Sequence, residues 1–300
     1  MNRKHYFPVA LLLVAAMLAI ITRVAQTGYI DSQTISVQLT ARDIPAHGLL
    51  VLSPPNPEFD TLITTRFGKG NPIVDALKPF SVLIKNVGDQ AVVAYSLRWE
   101  LLRDDGRVLT QTRDYITAWR LMGVEGSDKD GITIQPGSFV LMTPSNLDFA
   151  QGAEAIRAGN PELLMQASEI RTQLRIYSNI SVTIDGAFFE DGRYVGPDNS
   201  GLFSRVATQL SAKRDLCLEV TQELKRGEQA DHVFKQVEEL ASGPRVELAP
   251  SSTKEDVYKK FKKDAAEELL RFRSASGDAK AKEFATQLLS NKWPELRKVQ

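Results

Sequence analysis

Acidic side chains at turns are the residues of this chain whose types and spacing come nearest to chemistry. Asp128, Asp130 and Gly131 stand in GSDKDGIT, and Asp185, Glu190 and Asp191 are followed by Asp198. Carboxylate oxygens grouped in this way are hard ligands suited to calcium. Neither stretch completes the twelve-residue calcium loop, and the first lacks its third ligand and terminal glutamate. Asp-Gly is also favoured in tight turns, so plain hairpins are expected at both places. Carboxylates paired in space at ~5 to 10 Å would instead suit glycoside hydrolysis.

Nitrogen and sulfur chemistry has few starting points. The chain contains three histidines, His5, His47 and His232, with no pair at zinc-ligand spacing, and one cysteine, Cys217. His47 lies in IPAHGLL and His232 on a charged helical stretch, so both read as surface or turn residues. Cys217 falls on an apolar helical stripe and reads as a small buried side chain rather than a nucleophile. A nucleophile-elbow serine, a phosphate-binding glycine loop and a dinucleotide fingerprint are all missing from the sequence. Tyr95 and Trp99 could form a sugar platform, but they share the apolar face of one strand and are expected in the core. No catalytic, cofactor-binding or metal-binding residue is therefore assigned, and no cofactor is expected.

Two periodicities divide the elements that would position any site. From about Gln33 to Tyr194 the signal is alternation, strongest in AVVAYSLRWELL. There Ala91, Val93, Tyr95, Leu97, Trp99 and Leu101 fall on one face, with Ser96, Arg98 and Glu100 on the other, as in a strand covering a core on one side. Ile35, Val37 and Leu39 alternate likewise, Phe80, Val82 and Ile84 lead into a Gly88 loop, and Asp105 with Gly106 predicts a two-residue hairpin turn. Ile132 with Ile134, Phe139 with Leu141, and Ile176 to Ile184 supply further strands. Between Ser145 and Glu169 the alternation stops, and one or two short helices broken at Asn160 and Pro161 are expected as an insertion.

After Gly196 the period becomes helical. Phe203, Val206, Leu210, Cys217, Val220 and Leu224 mark one stripe, continued by Val233, Phe234, Val237 and Leu240. A linker follows at Gly243 to Ser252. Ser252 and Glu255 have capping-box spacing before a helix bearing Val257, Phe261, Ala265, Leu269 and Phe272. A last helix after Gly277 ends before Pro294. The fold class expected is α+β, an antiparallel β-sandwich over 29–197 with a helical insertion near 145–169, then a helical module over 198–300.

The N-terminal residues speak of location. Arg3 and Lys4 precede an apolar run from Tyr6 to Ile21, which at 1.5 Å per residue would span about 24 Å. Residues 1–28 are read as a signal peptide or an uncleaved membrane anchor, with the small residues a signal peptidase needs badly placed around Ala25. The bulk of the chain would then face outward, held at the cytoplasmic membrane through residues 6–21. Lysine and arginine together number 37, as do aspartate and glutamate, so the charge footprint of a nucleic-acid binder is missing.

VLIKNVGDQAVVAYSLRWELL resembles the early strand pair of immunoglobulin-like domains in bacterial exported proteins, and IDGAFFEDGRYVGPD is similar to an end-of-sandwich segment in uncharacterised exported proteins of this kind. The resemblance covers about half the chain and lacks the cysteine pair of antibody-type domains. It implies an immunoglobulin-like sandwich and export, and no activity. The sequence thus leads to an exported, membrane-tethered binding or assembly protein without catalysis, whose C-terminal helices meet an envelope protein partner. The alternative is an exported carboxylate-dependent hydrolase, or an envelope spacer.

Overall fold

Three Asn-Pro dipeptides open helices in this chain, each by the same local device. The Asn56 side chain accepts a hydrogen bond from the Glu58 amide at 2.9 Å, Asn71 from Ile73 and Val74, and Asn160 from Glu162 and Leu163. Asparagine occupies the N-cap and proline the first helical position, where its missing N–H is no loss. The first two dipeptides start α1 (Pro57–Phe67) and α2 (Pro72–Leu77), inside the stretch where alternation predicts strands. The third starts α4 (Pro161–Leu174), which follows the short α3 (Ala153–Arg157). Asn71 is buried and also donates to the Ile156 carbonyl at 2.7 Å, tying α2 to α3.

This computed structural model describes residues 37–117, 121–122, 132–145, 153–244 and 252–299. Asp128, Asp130, Gly131, the apolar run Tyr6–Ile21, Ile35 and most of the Gly243 to Ser252 linker lie outside them. Among the described residues no helix is long and apolar enough to cross a membrane. Residues from Val37 onward form one contact unit.

The chain is α+β, with two sheets. The smaller orders β2 (Leu49–Leu52), β3 (Val82–Asn86) and β6 (Phe139–Met142), all antiparallel. In the larger, β5 (Val108–Ile116) pairs with β4 (Val92–Arg103), and β4 with β7 (Tyr177–Phe189). The far side of β7 carries β1 (Gln38–Arg42) and β8 (Arg193–Val195), and β8 carries β9 (Arg297–Lys298). The β1–β7 and β8–β9 pairs are parallel, so the sheet is mixed rather than wholly antiparallel. Ile134 makes one isolated bridge to Val92 and is not part of a strand.

Both faces of the larger sheet are covered at one end, which explains why β4 is buried continuously from Val92 to Leu97 instead of alternately. Ala94 and Phe188 are cross-strand partners on one face. They share a core with Leu202, Val206, Leu216, Val220, Phe234 and Leu269 from the C-terminal helices. Those helices are α5 (Leu202–Lys225), α6 (Ala230–Ser242), α7 (Lys254–Ser276) and α8 (Asp278–Ser290). The opposite face carries Leu97, Trp99 and Leu101 with Ile184, Val182 and Ile180, all buried. On this same face Gln111 and Arg113 of β5 donate to carbonyls of Pro144 and Ser145, just beyond β6, and so link the two sheets. The outer face of the smaller sheet, at Leu52, Leu83 and Leu141, packs on α1 to α4 through Phe59, Ile63, Phe67, Ile73 and Ala167.

Two local expectations shift by one residue. The Arg103 amide bonds the Arg107 carbonyl at 2.9 Å, leaving a three-residue loop, 104–106, that ends with Gly106 at φ 81°. The left-handed residue that closes such a loop is most easily glycine. The capping box of α7 uses Thr253 and Asp256 rather than Ser252 and Glu255, because Thr253 is the residue with extended backbone before the first turn.

Candidate functional site

The second acidic stretch is drawn into the structure rather than left at the surface. Opposite Ser96 and Leu97, β7 advances by two residues, from Gly186 to Ile184, so Asp185 is the extra residue of a β-bulge. Bulges re-aim side chains, and here the Asp185 carboxylate, 1% exposed as a residue, accepts from the Asn199 amide (3.1 Å), Asn199 Nδ2 (2.9 Å) and the Ser200 amide (2.6 Å). These bonds fix the turn that leads into α5. Tyr194 of β8 lies across Gly186, and its hydroxyl donates to Asp198 Oδ1 at 2.9 Å.

Asp198 is the centre of this polar knot. It also accepts from the Phe203 amide (3.0 Å) and from Lys298 Nζ (2.7 Å), and so joins β8, α5 and the C-terminal strand β9. Burial opposes its charge, but the bonds from Lys298, Phe203 and Tyr194 outweigh it and hold the carboxyl below its ordinary value of 3.8. Burial, then the bond to Asp198, pushes the Tyr194 hydroxyl above its ordinary 10.0. Because Asp198 titrates lower when folded, its contribution to stability is full above about pH 4 and is lost as pH falls through the folded-state value. Urea unfolding is expected to place Asp198→Asn about 1 kcal/mol below the wild type at pH 7, with the gap closing toward pH 3. A gap of the same size at both pH values would contradict that role.

The remaining single candidates are dispersed. His47 ends a short 3-10 turn before β2, and His232 sits on α6, its Nε2 3.2 Å from the amide of Gln236. Cys217 is buried on α5, where burial raises its thiol to about 11 against the opposing charge of Lys213, leaving almost no thiolate at neutral pH. Lys213 is itself buried and paired with Glu268 of α7 at 2.6 Å. Asp191 is bound to Arg193 at 2.6 Å. Trp99 and Tyr95 are core residues, with Tyr95 stacked on Tyr115 at 4.9 Å. Among the described residues no group of three or more His, Cys, Asp or Glu is placed to hold a metal ion.

One surface feature has no signal in the sequence. A cleft of about 570 Å³ opens where α4 faces the end of the larger sheet. Leu101 and Leu109 form its apolar side with Gln111 and Arg113, and Gln166, Glu169, Ile170 and Gln173 of α4 form the opposite wall at three- and four-residue spacing. Leu109 and Ile176, which both line it, are 49% and 47% exposed. The Arg113 guanidinium is already bound to the Pro144 and Ser145 carbonyls, whereas Glu169 has no ion-pair partner among the described residues. Such a surface can bind an elongated, partly apolar partner, and it holds a single carboxylate rather than a pair. A second hollow, about 660 Å³, lies between α5 and the start of α7, with Phe203, Ala207, Lys254 and Tyr258 on its walls. Comparison with protein-family models, with curated protein sequences and with solved structures gives no match to this chain.

Proposed function

We propose that this chain is an exported, membrane-tethered binding or assembly protein without catalysis, and that it meets an envelope protein partner through the cleft between β5 and α4. The observation that carries this reading is exposed apolar surface, Leu109 and Ile176, lining a preformed cleft. Asp185 and Asp198, from the second acidic stretch, are engaged in hydrogen bonds that join secondary-structure elements. The tether through residues 6–21 rests on the sequence pattern of Arg3, Lys4 and the apolar run that follows. An immunoglobulin-like arrangement of the two sheets is part of the same proposal, supported by the β3–β4 strand sequence and by the bonds from Gln111 and Arg113 of the larger sheet to the Pro144 carbonyl just beyond β6.

A second surface has one observation in its favour, the hollow beside Tyr258 on the C-terminal helices. Their apolar stripes are engaged in the core, which leaves mostly charged residues outward and favours the cleft. Crosslinking in cells followed by mass spectrometry separates the two. A specific envelope partner is expected with the wild-type chain and lost with Leu109→Glu, while Tyr258→Glu keeps it. Loss with Tyr258→Glu alone would move the contact to the helices, and unchanged capture with both variants would remove both surfaces.

A further inference from the structure

We infer that the cleft is the side-chain half of a strand-addition site: an extended segment of a partner protein, alternating apolar residues with at least one lysine or arginine, pairs with the edge of β5. This rests on the binding function proposed above and specifies its mode.

The backbone of β5 carries the argument. The Thr117 amide bonds the Val93 carbonyl at 2.9 Å and the Arg103 amide bonds the Arg107 carbonyl at 2.9 Å. Between these points the β4–β5 register runs without a shift. In an antiparallel ladder, residues alternate between bonding the neighbour and pointing away from it. Leu109, Gln111 and Arg113 therefore bond β4, while the amides and carbonyls of Val108, Thr110, Thr112 and Asp114 point away from it. Among the described residues β5 has no strand on its other side.

Proteins ordinarily blunt such an edge with proline, lysine, a bulge or a very short strand. β5 is nine residues long and contains no proline, no lysine and no bulge. A row of donors and acceptors repeating every second residue is matched by extended polypeptide. Residues of the added strand opposite Leu109 and Gln111 would project to the cleft side, because facing residues share a face of the sheet. There they meet Leu109 and, on the α4 wall, Ile170 and the unpaired carboxylate of Glu169. Arg113 keeps its charge but its guanidinium is held by the Pro144 and Ser145 carbonyls, so Glu169 is the charged group of the cleft wall without a partner among the described residues, and a basic residue in the guest would answer it.

The test pans the full-length protein against a displayed library of random twelve-residue peptides, synthesises the enriched sequences, and repeats titrations with single backbone N-methyl groups along each peptide. Strand addition predicts a loss of about tenfold from N-methylation at every second residue of the paired stretch and little effect at the residues between. It also predicts slowed deuterium exchange at the Thr110 and Thr112 amides, and about threefold weaker binding of lysine-containing peptides to Glu169→Gln. Binding abolished by Leu109→Glu but indifferent to N-methylation would overturn strand addition while leaving the cleft as the recognition surface. No enrichment over Leu109→Glu, or protection elsewhere, would overturn both. Protection of Thr110 and Thr112 that grows with protein concentration and needs no peptide would overturn the peptide partner in favour of a second copy of the chain.

Discussion

Replacing Gly186 by alanine is expected to lower the thermal midpoint by about 6 to 10 °C, corresponding to about 3 kcal/mol in a unit of this size. Gly186 has no left-handed backbone to protect, so the effect is steric. A Cβ built there would stand 1.8 Å from the Tyr194 hydroxyl oxygen and 2.4 Å from the ring carbon that bears it. Tyr194 is 1% exposed and is held between Phe188, at 4.9 Å, and Phe203, at 5.5 Å, so it has little room to retreat. Its displacement would also break the bond to Asp198 and loosen the Lys298 contact that retains β9. Gly70→Ala supplies the control. That residue has φ 68° and nothing within 4 Å of the added carbon, so it should cost only the left-handed strain, about 1 kcal/mol. If Gly186→Ala melts within 2 °C of the wild type, the close approach of Tyr194 to the strand is wrong. Combining it with Tyr194→Ala should cost less than the sum of the two single changes, since both act on the same contact.

Asp185→Ala is the second large expected effect, a loss of about 2 to 3 kcal/mol measured by urea unfolding at pH 7. The carboxylate is an acceptor for three donors, of which the Ser200 amide, at 2.6 Å, has the closest approach. Deleting it strands those donors at the start of α5, and an unsatisfied buried group costs about 1–3 kcal/mol. The Asn199 side chain lies at an exposed residue and can turn to water, which keeps the total below a simple sum over three bonds. Asp185→Asn keeps one acceptor oxygen and should lose about half as much. Equal losses for alanine and asparagine would mean that charge rather than hydrogen-bond satisfaction carries the effect.

These two residues also show what the sequence could express. IDGAFFEDGRYVGPD stands out by its density of turn residues and aromatics, yet alternation alone does not reveal that Asp185 is a bulge, which reverses the faces of everything after it. Asp185 therefore reads as a turn acid although it is among the most buried polar groups in the described chain. The central strand β4 was legible because Tyr95, Leu97, Trp99 and Leu101 keep strict period two; its doubly covered end was not, since a second layer of helices is a property of tertiary packing. Helices α1 and α2 were overlooked although their signal was present: Asn56-Pro57 and Asn71-Pro72 repeat the pattern seen at Asn160-Pro161. The amphipathic stripes of α5 to α8 were readable in detail, from Val206 through Leu288. What they pack against was not, because a stripe at helical spacing looks the same whether it meets a sheet of its own chain or a partner.

The cleft was invisible for a related reason. Leu109 and Gln111 come from one strand, Glu169 and Ile170 from a helix about sixty residues later, and neither segment has an unusual composition. Only the antiparallel register, which turns Leu109 and Gln111 toward α4, brings them together. The exposed apolar residues Leu109 and Ile176 would each be ordinary alone; adjacency at a cleft mouth gives them meaning.

Photocrosslinking from single positions in the native membrane tests this account most directly. A photoreactive amino acid at Leu109 or Ile176, at the cleft, is compared with one at Ala279 on the last helix. A single partner band from Leu109 and Ile176, missing from Ala279, is the predicted result. A band from Ala279 with none from either cleft position would contradict it.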